Sequence, residues 1–289
     1  MIDVTPLKAP FGAEVRGWEP GRALTDSEEE VLRKALHTYV LLVLRGHPRP
    51  SNEEFARLGE GFGELFGGGE SYGLASDSRD VLRISNELDA EGYEVGYAGS
   101  GYLPWHTDYS FRERAAKETL LEAVVLPENG PRTHWVDMYT AYEQLDPELR
   151  ERIRGLIGRH DPYASARHIP AEVLRAPQAY GQRMNPNAHL PYEDVPVPHA
   201  LARVHPESGR TALYVSTFVG AVDTLSGDEA QDLVRTLLDH ALRPEWTYSH
   251  EWRGGDLVVF DTVGTIHSRD NFEPDATRSM RQMSTLLPA

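Results

Sequence analysis

The chain has 289 residues, a net charge of −16 and no cysteine. That length allows one large domain or two modest ones with a sizeable core. The acidic surplus argues against nucleic acid or an acidic membrane as partner, and the missing thiols exclude disulfides and thiolate metal sites. Met1-Ile2-Asp3-Val4 lacks the basic-then-apolar start of a secretory signal, and no apolar run approaches the roughly 18 residues of a membrane span. A cytoplasmic protein acting on a small molecule is the expectation.

In chain order, residues 1–24 read as a short strand and turns. Thr25-Asp26-Ser27-Glu28 is a capping box that opens a helix to Tyr39. Val40–Leu44 is a continuous apolar run of strand length, so a strand buried on both faces. Ser51-Asn52-Glu53-Glu54 is a second capping box, opening a helix through Phe55, Leu58 and Phe62. Val81–Asn86 alternates like a strand. Residues 87–104 mix glycines with Tyr93, Tyr97 and Tyr102 and lead as a loop into Leu103–Phe111, which reads as a strand. Thr119–Leu126 and Thr133–Val136 are further strands. Asp137 caps one short helix, and Asp146-Pro147 starts another that runs to about Leu156. Residues 159–200 carry seven prolines and four histidines, the texture of a lid or binding loop. Strands follow at Thr211–Val215, Trp246–Trp252, Leu257–Phe260 and Met280–Leu287, with Thr265–Arg269 between the last two. An amphipathic helix runs from Ser226 and Asp228 to His240. Many short strands, peripheral helices and no βαβ rhythm predict a mainly β chain with a jelly-roll or barrel core.

The chemistry centres on Trp105-His106-Thr107-Asp108. In a strand, residues i and i+2 share a face, so His106 and Asp108 can aim at one point. A distant histidine would complete a two-His, one-carboxylate set, which suits Fe(II) with positions left open. The motif alone is weak. With 12 His and 45 acidic residues, roughly two His-x-Asp/Glu matches arise by chance. The second, His205-Pro206-Glu207, has the Pro and Gly neighbours of a turn. His160, His168, His189 and His199 are rival ligands, but none has a carboxylate two residues on.

The stretch Gly255–His267 with Arg278-Ser279-Met280-Arg281 resembles the taurine dioxygenase (TauD/TfdA) family of Fe(II)/2-oxoglutarate-dependent enzymes. The likeness extends through Phe11–Val15, Phe62–Leu65, Trp105–Asp108, Asp137–Tyr142 and His205–Arg210. It implies a double-stranded β-helix (jelly-roll, cupin-like) fold as a single domain over 1–289, with a lid or insertion at about 159–200. It implies Fe(II) on His106, Asp108 and His267, and 2-oxoglutarate on Thr133 and Arg278, with O2 as the other co-substrate. A planar, bidentate Arg suits the far carboxylate. The reaction implied is hydroxylation, or a related desaturation or ring closure, since Asp108 stands where related halogenases lack the carboxylate. Gln282 occupies the place of the taurine enzyme's sulfonate-binding Arg, so a sulfonate substrate is not expected. Tyr102, Phe218, Arg281 and Gln282 are the substrate-pocket candidates; Arg281 stands one residue early, which in a strand turns it to the other face, and Arg281 and Arg269 also read as surface charges. Members of the family are often dimers or tetramers. A cupin-like metal enzyme that is not an oxygenase would use the triad but gives no reason for Thr133 and Arg278. A non-catalytic binding protein gives no reason for an intact triad.

Overall fold

The computed structural model of the chain describes residues 1–68, 78–168 and 195–289. Strands β1 (Asp3–Pro6) and β2 (Ala13–Arg16) pair antiparallel. Helix α1 (Asp26–Tyr39) starts at Thr25, whose side chain accepts from the Glu28 N–H while Glu28 accepts from the Thr25 N–H. These bonds satisfy donors that a first helical turn leaves unpaired. Val40 turns left-handed at φ 66° and stops the helix. Strand β3 (Leu41–Leu44) follows directly, and α2 (Asn52–Glu60) is capped in the same way by Ser51 and Glu54. Next come β4 (Leu82–Ser85), β5 (Tyr97–Ala98), β6 (Leu103–His106), β7 (Ala116–Val125) and β8 (Thr133–Asp137). Helices α3 (Met138–Glu143) and α4 (Pro147–Ile153) are capped by Asp137 and Asp146. Strands β9 (Ile157–His160), β10 (Val197–Ala200), β11 (Ala202–Val204), β12 (Thr211–Leu213) and β13 (Val219–Val222) precede helix α5 (Gly227–Ala241). Strands β14 (Thr247–His250), β15 (Leu257–Asp261), β16 (Thr265–Arg269) and β17 (Ser279–Leu286) complete the order.

Eight strands form one sheet in the order β1-β2-β3-β15-β7-β17-β4-β5, and four form a second in the order β14-β8-β16-β6. Pairing is antiparallel except for β2 with β3 and β4 with β5. The apolar runs at Leu41–Leu44 and Leu257–Phe260 are continuous because each strand serves two cores. Leu42, Leu44, Leu257 and Val259 pack with Leu32, Leu36, Phe55 and Leu58 of α1 and α2. Their alternates Leu41, Val43, Val258 and Phe260 face the smaller sheet around Trp135. Beyond the smaller sheet, Val136 and Ile266 pack with Leu233, Val234 and Leu237 of α5. Each such fully buried side chain contributes about 1.5–3 kcal/mol. The result is a jelly-roll core of two facing sheets with helices on both outer faces, the fold class expected.

Two local expectations are corrected. The strand predicted over Leu103–Phe111 ends at His106, and Asp108–Ser110 is a turn with Tyr109 left-handed at φ 53°. The stretch 159–200 is not one loop. It begins in β9, continues as a 3-10 helix at Pro162–His168 and ends in β10, which pairs with β9. The central part of the predicted lid, 169–194 with His189, lies outside the described residues.

Candidate active site

Strand β16 lies between β8 and β6, and this arrangement builds the site. His267 sits opposite His106 on β6 and opposite Trp135 on β8. The two imidazoles are therefore neighbours, with ring centroids 4.0 Å apart. Asp108 reaches them from the turn after β6, because the chain bends there and not because a strand alternates. Its Oδ1 is 3.6 Å from His106 Nε2 and its Oδ2 is 3.8 Å from His267 Nε2. One donor atom from each of the three residues lies within 4.8 Å of the others.

The supporting contacts fit a divalent metal. His106 Nδ1 lies 2.7 Å from the Pro104 carbonyl. A carbonyl only accepts, so Nδ1 carries the proton and Nε2 keeps its lone pair for the metal. Burial, with His106 close by, pushes His267 well below the ordinary imidazole value and holds it neutral. Its ring lies almost parallel to Trp135, at 19°. Burial also pushes the Asp108 carboxyl up, against the pull of His106 and the hydrogen bonds of Thr119 and Gln282. A buried carboxylate of this kind needs a positive charge beside it. Gln282 Nε2 donates to Asp108 Oδ2 at 3.1 Å and fixes the carboxylate plane.

The cleft over the triad is lined by Thr133, Phe218, Arg269, Arg278 and Gln282, with Leu103, Pro104 and Phe111 among its apolar walls. Arg278 is 2 % exposed, and its Nε has no hydrogen-bond partner. Burial, with the Arg269 charge nearby, pushes it well below the ordinary guanidinium value. Among the described residues no carboxylate pairs with it. Thr133 is equally buried, and its hydroxyl accepts from Trp252 Nε1 at 2.9 Å. That bond leaves the Thr133 proton free to donate to an incoming anion. A buried cation without a protein counter-charge, beside a free hydroxyl, fits a carboxylate ligand.

The other candidates divide. Phe218 lines the cleft with its ring 5.6 Å from His106. Tyr102 does not line it; the half-buried phenol bonds to Ser268. Arg281 points to the opposite face of β17, where Nε donates to Glu122 Oε2 at 2.6 Å and a second nitrogen donates to Asn52 Oδ1 at 2.7 Å. The pocket assignment of Arg281 is thus corrected by strand alternation, since its neighbour Gln282 takes the inward place. Arg269, read as a surface charge, is 3 % exposed and lines the cleft. The spacing could have shown this: if Thr265–Arg269 is a strand, Arg269 stands two residues from His267 on the same face. Among the rival ligands, His160 and His199 pack against Tyr214 and are not part of the donor cluster of His106, Asp108 and His267. His199 Nε2 donates to the Ser110 carbonyl at 2.8 Å, and burial with the Arg203 charge pushes it down to about 4.

The sequence profile of the "Taurine catabolism dioxygenase TauD, TfdA family" matches residues 3–284. The chain belongs to this family. It is a dioxygenase, and so an oxidoreductase. It is similar to pentalenolactone F synthase of Streptomyces arenae, with 35 % identity over 99 % of this chain and 96 % of the relative. The alpha-ketoglutarate-dependent 2,4-dichlorophenoxyacetate dioxygenase of Cupriavidus pinatubonensis is 30 % identical over 99 % of this chain and 98 % of its own. Among solved structures, AAD-2 in complex with Mn(II) and N-oxalylglycine superposes with a TM-score of 0.78 at 27 % identity, covering 100 % of this chain and 98 % of that one.

Proposed function

We propose that this TauD/TfdA-family enzyme hydroxylates, desaturates or ring-closes an unactivated C–H bond of a small, polar or carboxylate-bearing molecule. Its metal is Fe(II), and its co-substrates are 2-oxoglutarate and O2. When bound, these supply the oxidative decarboxylation of 2-oxoglutarate to succinate and CO2 and the oxidising power that attacks the C–H bond. The observation that carries the reading is the shared cleft: a His pair with Asp108 at one end, and a buried cation with a free hydroxyl donor at the other.

In this reading His106, Asp108 and His267 hold the iron, and Gln282 keeps Asp108 oriented. Arg278 and Thr133 bind the far carboxylate of 2-oxoglutarate, with Trp252 fixing the Thr133 rotamer. Phe218, Phe111 and Leu103 hold the substrate's carbon frame near the metal and exclude water. A role in secondary metabolism fits the 35 % identity to pentalenolactone F synthase. We read the chain as one catalytic domain working in the cytoplasm, assembled as a dimer or tetramer, which sedimentation would test. No helix among the described residues is long and apolar enough to cross a membrane.

The test is an anaerobic titration with Fe(II) and then 2-oxoglutarate, following the visible charge-transfer band of the chelate. The band is expected in the wild type, lost in His267→Ala, and shifted to much higher 2-oxoglutarate concentration in Arg278→Met. Iron binding with no band in the wild type would refute the co-substrate assignment.

A further inference from the structure

Two arginines line the cleft, and the functional reading above gives a role only to Arg278. Arg269 stands two residues beyond His267 on β16, so both side chains face the same way. At a strand rise of about 3.3 Å per residue, its Cα lies about 6.6 Å further along the cleft. Its partner across β8 is Thr133. The β16–β8 ladder therefore sets Arg269 beside the hydroxyl already assigned to the far carboxylate, and not over the metal where a substrate's reacting carbon must lie. Resting on the functional reading above, we propose that Arg269 is a second cation for the far carboxylate of 2-oxoglutarate, and that it straps the backbone of residues 98–101 to that carboxylate.

The strap is visible in its hydrogen bonds. An Arg269 Nη2 donates to the Ala98 carbonyl at 3.0 Å and also to the Gly101 carbonyl. The guanidinium lies over the Phe272 ring at 5.2 Å. One of the residues it holds, Ala98, is in an unfavoured backbone conformation at φ 71°. Such conformations persist only where surrounding contacts over-determine them. Tyr97, Ala98, Leu103 and Pro104 form part of the cleft wall. Glu94 is the carboxylate that feels the Arg269 charge across this segment, and burial raises its own pKa. An arriving dicarboxylate thus meets a guanidinium already anchored to the wall of the substrate chamber. Binding of the co-substrate steadies the surface on which the substrate will sit.

The experiment compares two 2-oxo acids on the anaerobic Fe(II) enzyme. 2-Oxoglutarate has the far carboxylate, whereas 2-oxopentanoate has the same carbon chain ending in a methyl group. Both are titrated against wild type, Arg269→Met and Arg269→Lys by the charge-transfer band. Arg269→Met is expected to weaken 2-oxoglutarate at least about tenfold, the loss of a charge-assisted bond, and to leave 2-oxopentanoate within about threefold. Arg269→Lys should fall between, which separates lost charge from lost folding. Hydrogen exchange supplies a second readout. 2-Oxoglutarate should slow exchange at residues 97–102 in the wild type and not in Arg269→Met. Equal weakening of both acids would overturn the assignment. So would an unchanged 2-oxoglutarate constant with a raised substrate KM, which would move Arg269 to the substrate. A wild type that forms no chelate with either acid would overturn the functional reading, and this assignment with it.

Discussion

Gly264→Ala offers a quantitative test of how the fold holds its second metal histidine. A Cβ built on Gly264 falls 2.1 Å from Tyr139 Cε2 and 2.6 Å from Cζ, where ordinary contact begins at 3.4 Å. The ring must therefore retreat by more than an ångström, and it is hemmed in. Tyr139 is 1 % exposed, its hydroxyl donates to Asp261 Oδ2 at 2.5 Å, and the Arg210 guanidinium lies 4.3 Å over its face. Overpacking of this kind costs about 1–3 kcal/mol. Loss of the buried bond to a carboxylate adds about 1.5–3 kcal/mol. The sum, about 2.5–6 kcal/mol, is a large share of the roughly 5–15 kcal/mol by which native proteins are stable. At about 2 °C per kcal/mol for a chain of this size, Tm should fall by about 5–12 °C. Differential scanning calorimetry measures it. Because β16 begins at the next residue and carries His267, Fe(II) affinity should fall in parallel. Tyr139→Leu, which removes the clashing ring edge, should make the added Gly264→Ala cost much smaller. A Gly264→Ala protein within 2 °C of wild type would refute the reasoning about a ring that cannot yield.

His106→Ala and His267→Ala should each abolish stoichiometric Fe(II) binding and turnover; near-normal activity in either would remove the triad. Gln282→Leu keeps the side chain's size but frees Asp108 Oδ2, so Fe(II) affinity should drop about 10-fold or more, read by competition with a chelator. Glu118 predicts a pH dependence of stability. Burial pushes its carboxyl up to about 8 in the fold, against an ordinary 4.5, so between those values the folded chain holds a proton that the unfolded chain has released. That stability is complete below pH 4.5 and is lost as pH rises through 8. His205 acts at the other end, since burial pushes it down to about 4 from 6.5. Its contribution is present above 6.5 and lost as pH falls through 4. Tm should therefore peak between these limits, and Glu118→Gln should flatten the alkaline side in a scan from pH 6 to 9.

Most strands were legible in the sequence because burial on both faces leaves an unmistakable apolar run, as at Leu257–Phe260. Helix starts were legible because capping boxes are local chemistry, written within four residues. The triad was legible by residue type and order, but its geometry was not. His106 and Asp108 converge through a turn in which Tyr109 is left-handed, and nothing in a tyrosine announces that. Strand β9 stayed hidden for a related reason: Ile157-Gly158-Arg159-His160 has little apolar content, and it is stabilised by partners far along the chain in β10 and β13. Arg281 and Arg269, both open to a reading as surface charges, proved different: one is paired with a buried glutamate and the other faces the cleft. Strand alternation assigns the face, but only the fold shows which partner the charge meets there.

The sheet edges have a consequence for how copies of this chain associate. In the larger sheet, β1 ends in Pro6, which has no N–H to offer, and β5 is two residues long. In the smaller sheet, β6 contains Pro104 and its pairing slips register between His267 and Arg269. Short edges, prolines and bulges all spoil the template that an incoming strand would need. Three of the four edges of the two core sheets are therefore closed to strand addition. The same features that shape the mouth of the cleft also guard those three edges against amyloid-like stacking.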